Sequence, residues 1–332
     1  MKVNHVWYGD SAMGPLELFN IYSWLALGHA VTIYAHNWDG TAHTASSLGV
    51  DGAVKVKNLS TILTDDEGKA KASTMPNTRD LLKTWILATN NRKPANTDFI
   101  FNLVDVTKSY IGGTRQGIVL DLKAGPSKWL PDYAPAFNSK FVSYSRGGNT
   151  TYPENQCMGS MEAESGAARG KYAAFFDNEI AKGLQAFKTT PNGTHFGLIT
   201  VFHGKAWNAA GSKIDVSMEG PSGGAGGLED YVVDEIGSPS HGPFRVFKHA
   251  SDQTNKSNSI KTKPADVAAL AQRVWDSELK ASGGNAGFLA KVEAAMKTLP
   301  GYKAPQAKPL CPKCNKPFAK LVLPTHEREC KG

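Results

Sequence analysis

The chain has 332 residues, 41% of them hydrophobic and 20% charged, with a formal net charge of +7. That composition excludes a long disordered polymer and suits one large α/β domain with a small appendage. No apolar run approaches the ~20 residues that cross a bilayer and no signal-peptide core follows Met1, so an unsecreted, cytoplasmic protein is expected.

Residues 3–8 read as a short strand. Gly14 and Pro15 then open a helix, because proline at the first helical position gives up no hydrogen bond. Leu18, Ile21, Tyr22 and Leu25 share one helical face, and Gly28 can end the helix in a left-handed conformation. Residues 31–35 form the next strand. A strand, a helix and a strand in this order predict a parallel sheet and a nucleotide-binding α/β domain. Further strands are expected at 118–122, 140–144 and 197–202, and helices at 171–187, 264–281 and 286–299. The run from Gly220 to Gly227 is either a plain surface loop or a mobile lid over a ligand. Residues 300–310 form a proline-punctuated linker, which divides the chain into a body at 1–299 and a tail at 311–332.

The tail differs from the body in charge and in cysteine content. Residues 303–332 carry +5 of the net +7, and three of the four cysteines lie there. Cys311 and Cys314 are two residues apart in between, His326 follows after eleven, and Cys330 after three more. The first pair suits a knuckle gripping one metal ion, and His326 and Cys330 fall on one side of a short helix. Phe318 and Leu323 supply the small core of a zinc finger whose folding is coupled to Zn²⁺ binding. A basic finger beside a nearly neutral body suits DNA as the partner; a solubilising tail, a protein contact or a simple chain cap are the alternatives. Cys157 stands alone in the body, so no disulfide framework is available there and a reducing compartment is expected.

The opening segment, from Val3-Asn4-His5-Val6-Trp7-Tyr8-Gly9-Asp10 to Gly28-His29-Ala30-Val31-Thr32-Ile33-Tyr34, resembles the start of the DxD-type sugar transferases. A second block keeps that family's order: Thr97-Asp98-Phe99-Ile100-Phe101, then Gly112-Gly113, then the strand ending Asp121-Leu122-Lys123. Two positions depart from the family pattern. Phe101 stands where an arginine is expected, and Lys123 where the second aspartate is expected.

The resemblance implies a GT-A-like fold, a nucleotide-sugar-binding sheet flanked by helices, and a glycosyltransferase using a UDP-sugar such as UDP-glucose. It implies that Trp7, Tyr8, Gly9 and Tyr34 help to hold the donor, with Trp7 stacking on the base and Asp98 on ribose or sugar hydroxyls. It also implies that Asp121 binds a catalytic Mn²⁺ or Mg²⁺, whose charge helps the diphosphate leave. Lys123 either replaces part of the metal's charge and pairs with the diphosphate, or marks an inactive transferase.

The acceptor side is less well marked. His203, His241 and His249 are possible bases or phosphate ligands, with His249 taken as the catalytic one. Glu162, Glu164, Asp177 and Glu179 are either catalytic carboxylates or solvated helix-face charges. An unsecreted transferase with a basic finger resembles the phage enzymes that glycosylate hydroxymethylated pyrimidines such as 5-hydroxymethylcytosine in DNA, the host cytoplasm then being the location. The alternatives are a transferase acting on a polysaccharide, lipid-linked sugar or protein, and a degenerate, non-catalytic binding protein. No membrane and no obligate protein partner is expected.

Overall fold

The computed structural model describes residues 1–67, 75–89, 91–95, 97–128, 130–145, 154–187, 195–209, 213–217, 244–247 and 264–304. The expected zinc-finger residues Cys311, Cys314, His326 and Cys330, the glycine-rich run 220–227, His241 and His249 lie outside these residues.

The architecture is mixed α/β around one seven-stranded, mostly parallel sheet. The chain opens with β1 (Lys2–Tyr8), α1 (Pro15–Ala26) and β2 (Ala30–His36). These are followed by β3 (Lys55–Asn58), α2 (Leu59–Asp65), α3 (Pro76–Ala88), α4 (Thr97–Thr114) and β4 (Gly117–Leu120). Next come β5 (Ala124–Pro126), α5 (Leu130–Phe137), β6 (Phe141–Ser145), β7 (Glu154–Ser160), α6 (Ala167–Phe187) and α7 (His195–Ala209). The remaining elements are β8 (Lys213–Ser217), β9 (Phe244–Val246), α8 (Pro264–Val274), a π-helical turn (Trp275–Leu279) and α9 (Ala286–Lys297). The large sheet has the order β3-β2-β1-β4-β7-β6-β8, and β5 and β9 form a separate antiparallel pair. Strands β3, β2, β1 and β4 run parallel, β7 is antiparallel to both its neighbours, and β6 and β8 are parallel.

Alternation along each strand feeds two cores, one on each face of the sheet. Val3, Val31, Ile33, Ile118 and Leu120 pack with α1, α8 and α9. Val6, Tyr34, Val119, Phe141 and Met158 pack with α2, α3, α4, α6 and α7. Helix α1 is buried almost throughout because α9 covers the side that the sheet does not, so Phe19, Ile21 and Trp24 lose all exposure. Burying each such side chain is worth ~1.5–3 kcal/mol. The expected ends of α1 hold: Pro15 begins it, and Gly28 follows it at φ +78°. Gly117 opens β4 at φ +128°, where a Cβ would lie 2.5 Å from Asn4 Nδ2 and 2.8 Å from the Lys2 carbonyl. Close approach of β4 to β1 therefore requires glycine at this position.

Two sequence expectations change here. Residues 197–202 are helical, within α7, and not a strand. Their β-branched, aromatic composition favours a strand locally, but Phe202, His203, Ala206 and Trp207 are buried at helical spacing. The strand expected at 118–122 stops at Leu120, because the Ala124 N–H turns back to the Asp121 carbonyl. Asp121 is therefore the first residue beyond the strand.

Candidate active site

The connection from β1 through α1 leads to β2, toward one edge of the strand order, while the chain leaving β4 leads through α5 to β6, toward the other edge, and both helices pack in the same core. Adjacent strands whose connections diverge leave a crevice beyond their carboxyl ends, the usual ligand position in open α/β sheets. Tyr8 and Gly9 lie on one side of this switch point and Asp121 to Lys123 on the other.

The β4 side is charged. Helix α4 runs back along the sheet before the chain turns into β4, and this return brings Lys108 to Asp121. The Lys108 ammonium donates to Asp121 Oδ1 at 2.9 Å and lies 3.1 Å from Asp105 Oδ1. Lys123 Nζ stands 3.7 Å from Asp121 Oδ2, beyond hydrogen-bond length. The group has two layers: the Lys108 side chain is 5% exposed, whereas those of Asp121 and Lys123 are 18% and 17% exposed. Burial alone would lower the Lys108 pKa, but the Asp121 and Asp105 carboxylates outweigh it and raise the pKa above the ordinary value. Burial would likewise raise the Asp121 pKa, and Lys108 and then Lys123 hold it below the usual carboxylate range. Both groups are thus charged at neutral pH. Under them, His5 Nδ1 donates to the Leu120 carbonyl at 2.8 Å, and burial lowers its pKa to about 4, leaving it neutral.

The β1 and β2 side is aromatic. The Tyr8 ring stacks on Trp38 with centroids 5.5 Å apart, and His36 meets the Trp38 ring edge-on at 5.6 Å. The Tyr8 hydroxyl shares a 2.8 Å hydrogen bond with the Thr107 hydroxyl, one residue before Lys108 on α4. Gly9 is clamped through its backbone: its N–H donates to the His36 carbonyl at 3.1 Å, and its carbonyl accepts from His43 Nε2 at 2.7 Å. The Trp7 indole folds against Gly9, where a Cβ would lie 3.4 Å from Nε1.

Not every expected donor-binding residue joins this group. Trp7, Tyr8, Gly9, Asp121 and Lys123 lie at or just beyond the carboxyl ends of β1 and β4. Tyr34 packs in the core under β2, with Val6 and Leu59, and interacts with Arg115 at the far end of α4. Asp98 is the second residue of α4, ten residues before Lys108 and so roughly 15 Å away along the helix axis. Residues that the sequence reading passed over do contribute: Asp105, Lys108, His5, His36, Trp38 and His43. The available signal was the pair Asp105 and Lys108, charged residues in a helix otherwise rich in Phe, Leu, Val, Tyr and Ile.

Three of the other proposed acids and bases, His203, Asp177 and Glu179, are engaged within the fold. His203 is fully buried, with Nε2 bonded to Ser143 Oγ at 2.7 Å and Nδ1 to the Tyr172 hydroxyl at 2.9 Å. Asp177 is buried at the start of α3, where Oδ1 accepts from the Thr78 N–H at 2.7 Å and Oδ2 from the Asn77 side-chain amide at 2.8 Å. It caps that helix from α6. Glu179 pairs with Lys182 at 2.8 Å and Lys205 at 3.3 Å, tying α6 to α7.

A divalent ion at Asp121 is a poor fit to these residues. Oδ1 already accepts from Lys108, and the second carboxylate of a DxD pair is replaced by Lys123. A doubly charged ion about 5 Å from an ammonium would be repelled by ~7 kcal/mol at an effective dielectric of ~20. Among the described residues, no three His, Cys, Asp or Glu side chains gather as a metal site.

No protein-family model matches the chain, and no curated protein does. Among solved structures it is similar to the PaToxG glycosyltransferase, at 10% identity and a TM-score of 0.35, over 60% of this chain and 66% of that one. The match spans just under two thirds of that protein's length, and so shallow a likeness decides neither fold nor chemistry. No helix among the described residues is long and apolar enough to cross a membrane.

Proposed function

We propose that this chain is a glycosyltransferase that takes a nucleotide-sugar donor into the crevice beyond β1 and β4. The observation that carries the reading is the Lys108, Asp121 and Lys123 group at the switch point, next to Tyr8, whose hydroxyl bonds Thr107 beside Lys108. A nucleotide sugar needs positive charge for its diphosphate and an apolar surface for its base; Lys123 supports the first, and the partly exposed Trp7 and Tyr8 rings support the second. The resemblance of the opening segment to DxD-type transferases supports the same reading. In the reaction, the bond from the anomeric carbon to the diphosphate oxygen breaks. A bond from an acceptor hydroxyl forms, the hydroxyl proton passes to a base, and the nucleoside diphosphate leaves with the electron pair.

The acceptor in this proposal is a hydroxymethylated pyrimidine in DNA, presented by flipping the base from the stack. The basic tail supports that choice: Cys311, Cys314, His326 and Cys330 have the spacing and chemistry of a structural Zn²⁺ site, and its lysines suit phosphate contact. Incubation with UDP-glucose and DNA containing 5-hydroxymethylcytosine, followed by nucleoside mass spectrometry, tests both parts. A hexose on the base is expected, and Asp121→Asn should lower its yield at least ~100-fold. UDP release without base modification would discard the DNA acceptor and keep the transferase. A chain lacking residues 303–332 should bind DNA more weakly and release UDP unchanged. Binding of one Zn²⁺ per chain, with loss of tail structure on chelation, checks the finger independently of activity.

A further inference from the structure

We infer that the donor's diphosphate is held in this crevice by lysine in place of a divalent ion, Lys123 contacting it directly and Lys108 positioning Asp121 beneath. The inference rests on the nucleotide-sugar reading and adds to it that nucleotide binding needs no divalent metal.

Three observations carry it. A metal-binding aspartate offers its oxygens outward, whereas Asp121 Oδ1 accepts from an ammonium buried behind it at 2.9 Å. That ammonium is also held by Asp105 at 3.1 Å, so it is a fixture of the fold and not a mobile surface charge. Lys123 differs in both respects. Its Nζ is 3.7 Å from Asp121 Oδ2, close enough to be steered and too far to spend a hydrogen bond. Its side chain is partly exposed just beyond the strand end, so its three N–H donors can turn to an incoming phosphate. Asp121 then serves as an anchor for two cations, and the charge that helps the leaving group depart is an ammonium point charge.

The test is calorimetric titration of UDP into the full chain, dialysed into divalent-free buffer, with and without added Mn²⁺. Chelators are left out so that the tail keeps any zinc. The expected result is binding in both buffers with Kd values within about twofold, while one bound metal would change affinity at least ~10-fold. Lys123→Ala should weaken UDP binding ~10-fold or more in both buffers, and Lys123→Arg should retain most of it. Lys108→Gln frees Asp121 Oδ1, so whatever folds should acquire a Mn²⁺ dependence that the parent lacks; a merely structural lysine would not produce that gain. Should Lys108→Gln fail to fold, Lys123→Ala carries the test. Binding that requires Mn²⁺ in the parent, or an unaltered Kd in Lys123→Ala, overturns the inference and leaves the nucleotide reading intact. Absence of UDP binding in both buffers overturns the nucleotide reading itself, and the inference with it.

Discussion

At the β4 end of the crevice, side chains are fixed by charge; at the β1 and β2 end, by rings and backbone. Lys108 and Asp105 are buried and Asp121 is mostly so, and each depends on the others for compensation. Across the crevice, Tyr8, His36 and Trp38 touch as uncharged rings, and Gly9 is gripped through its own N–H and carbonyl. The contrast shows how a site can be made rigid in two ways with different vulnerabilities. An ion group fails when one member is removed, because a buried charge is left unpaired. An aromatic wall loses only the area or the hydrogen bond deleted.

Removing the cation should therefore have the largest effect. Lys108→Met leaves Asp121 and Asp105 facing each other at low exposure, and urea unfolding should show a loss of ~3–5 kcal/mol. Adding Asp121→Asn to that variant should recover part of the loss, a coupling that a double-mutant cycle would read directly. If Lys108→Met is no more disruptive than a ring deletion across the crevice, the two ends are not built differently.

Acid should separate the buried histidines from the ion group next. Burial holds His5 and His36 neutral with pKa values of about 4, and His203, with added repulsion from Lys108, at about 3, all below the ordinary 6.5. The unfolded chain therefore takes up protons first as pH falls. Stability from these histidines is intact above pH 6.5 and declines as pH falls through the interval down to about 4, and for His203 to about 3. Asp121 behaves otherwise: its depressed pKa keeps its contribution whole above the ordinary carboxylate value of 3.8, losing it only at lower pH. Thermal denaturation across pH 7 to 3 should show the histidine loss first, and His36→Gln should flatten the upper part of the curve.

The smallest expected effect is at the link between the two ends. Tyr8→Phe deletes one hydroxyl hydrogen bond to Thr107 and keeps the ring on Trp38, so unfolding should change by ~1 kcal/mol. UDP binding should change little, since the stacking surface remains. A tenfold loss of affinity in Tyr8→Phe would mean that the hydroxyl, and with it the register of α4 against β1, sets the shape of the site.

Much of the frame was legible in local sequence. Pro15 and Gly28 delimit α1, alternation marks β1 and β2, and a hydrophobic run ending in Asp121 places a carboxylate at a strand's end. These features depend on neighbours within a turn or a strand, where helical and pleated periodicities act. Four other features were settled only by tertiary structure. Residues 197–202 became helix because packing of α7 on α6 and β6 outweighed a local preference for strand. Asp177 caps a helix that begins a hundred residues earlier in the chain. Tyr34, at the end of the resembling segment, turned into the core under β2. Most consequential, Lys108 met Asp121 because α4 doubles back on β4, bringing a helix side chain to a strand end thirteen residues on. No periodicity encodes such a meeting. It follows from which face of each element is buried, and burial is a property of the assembled fold.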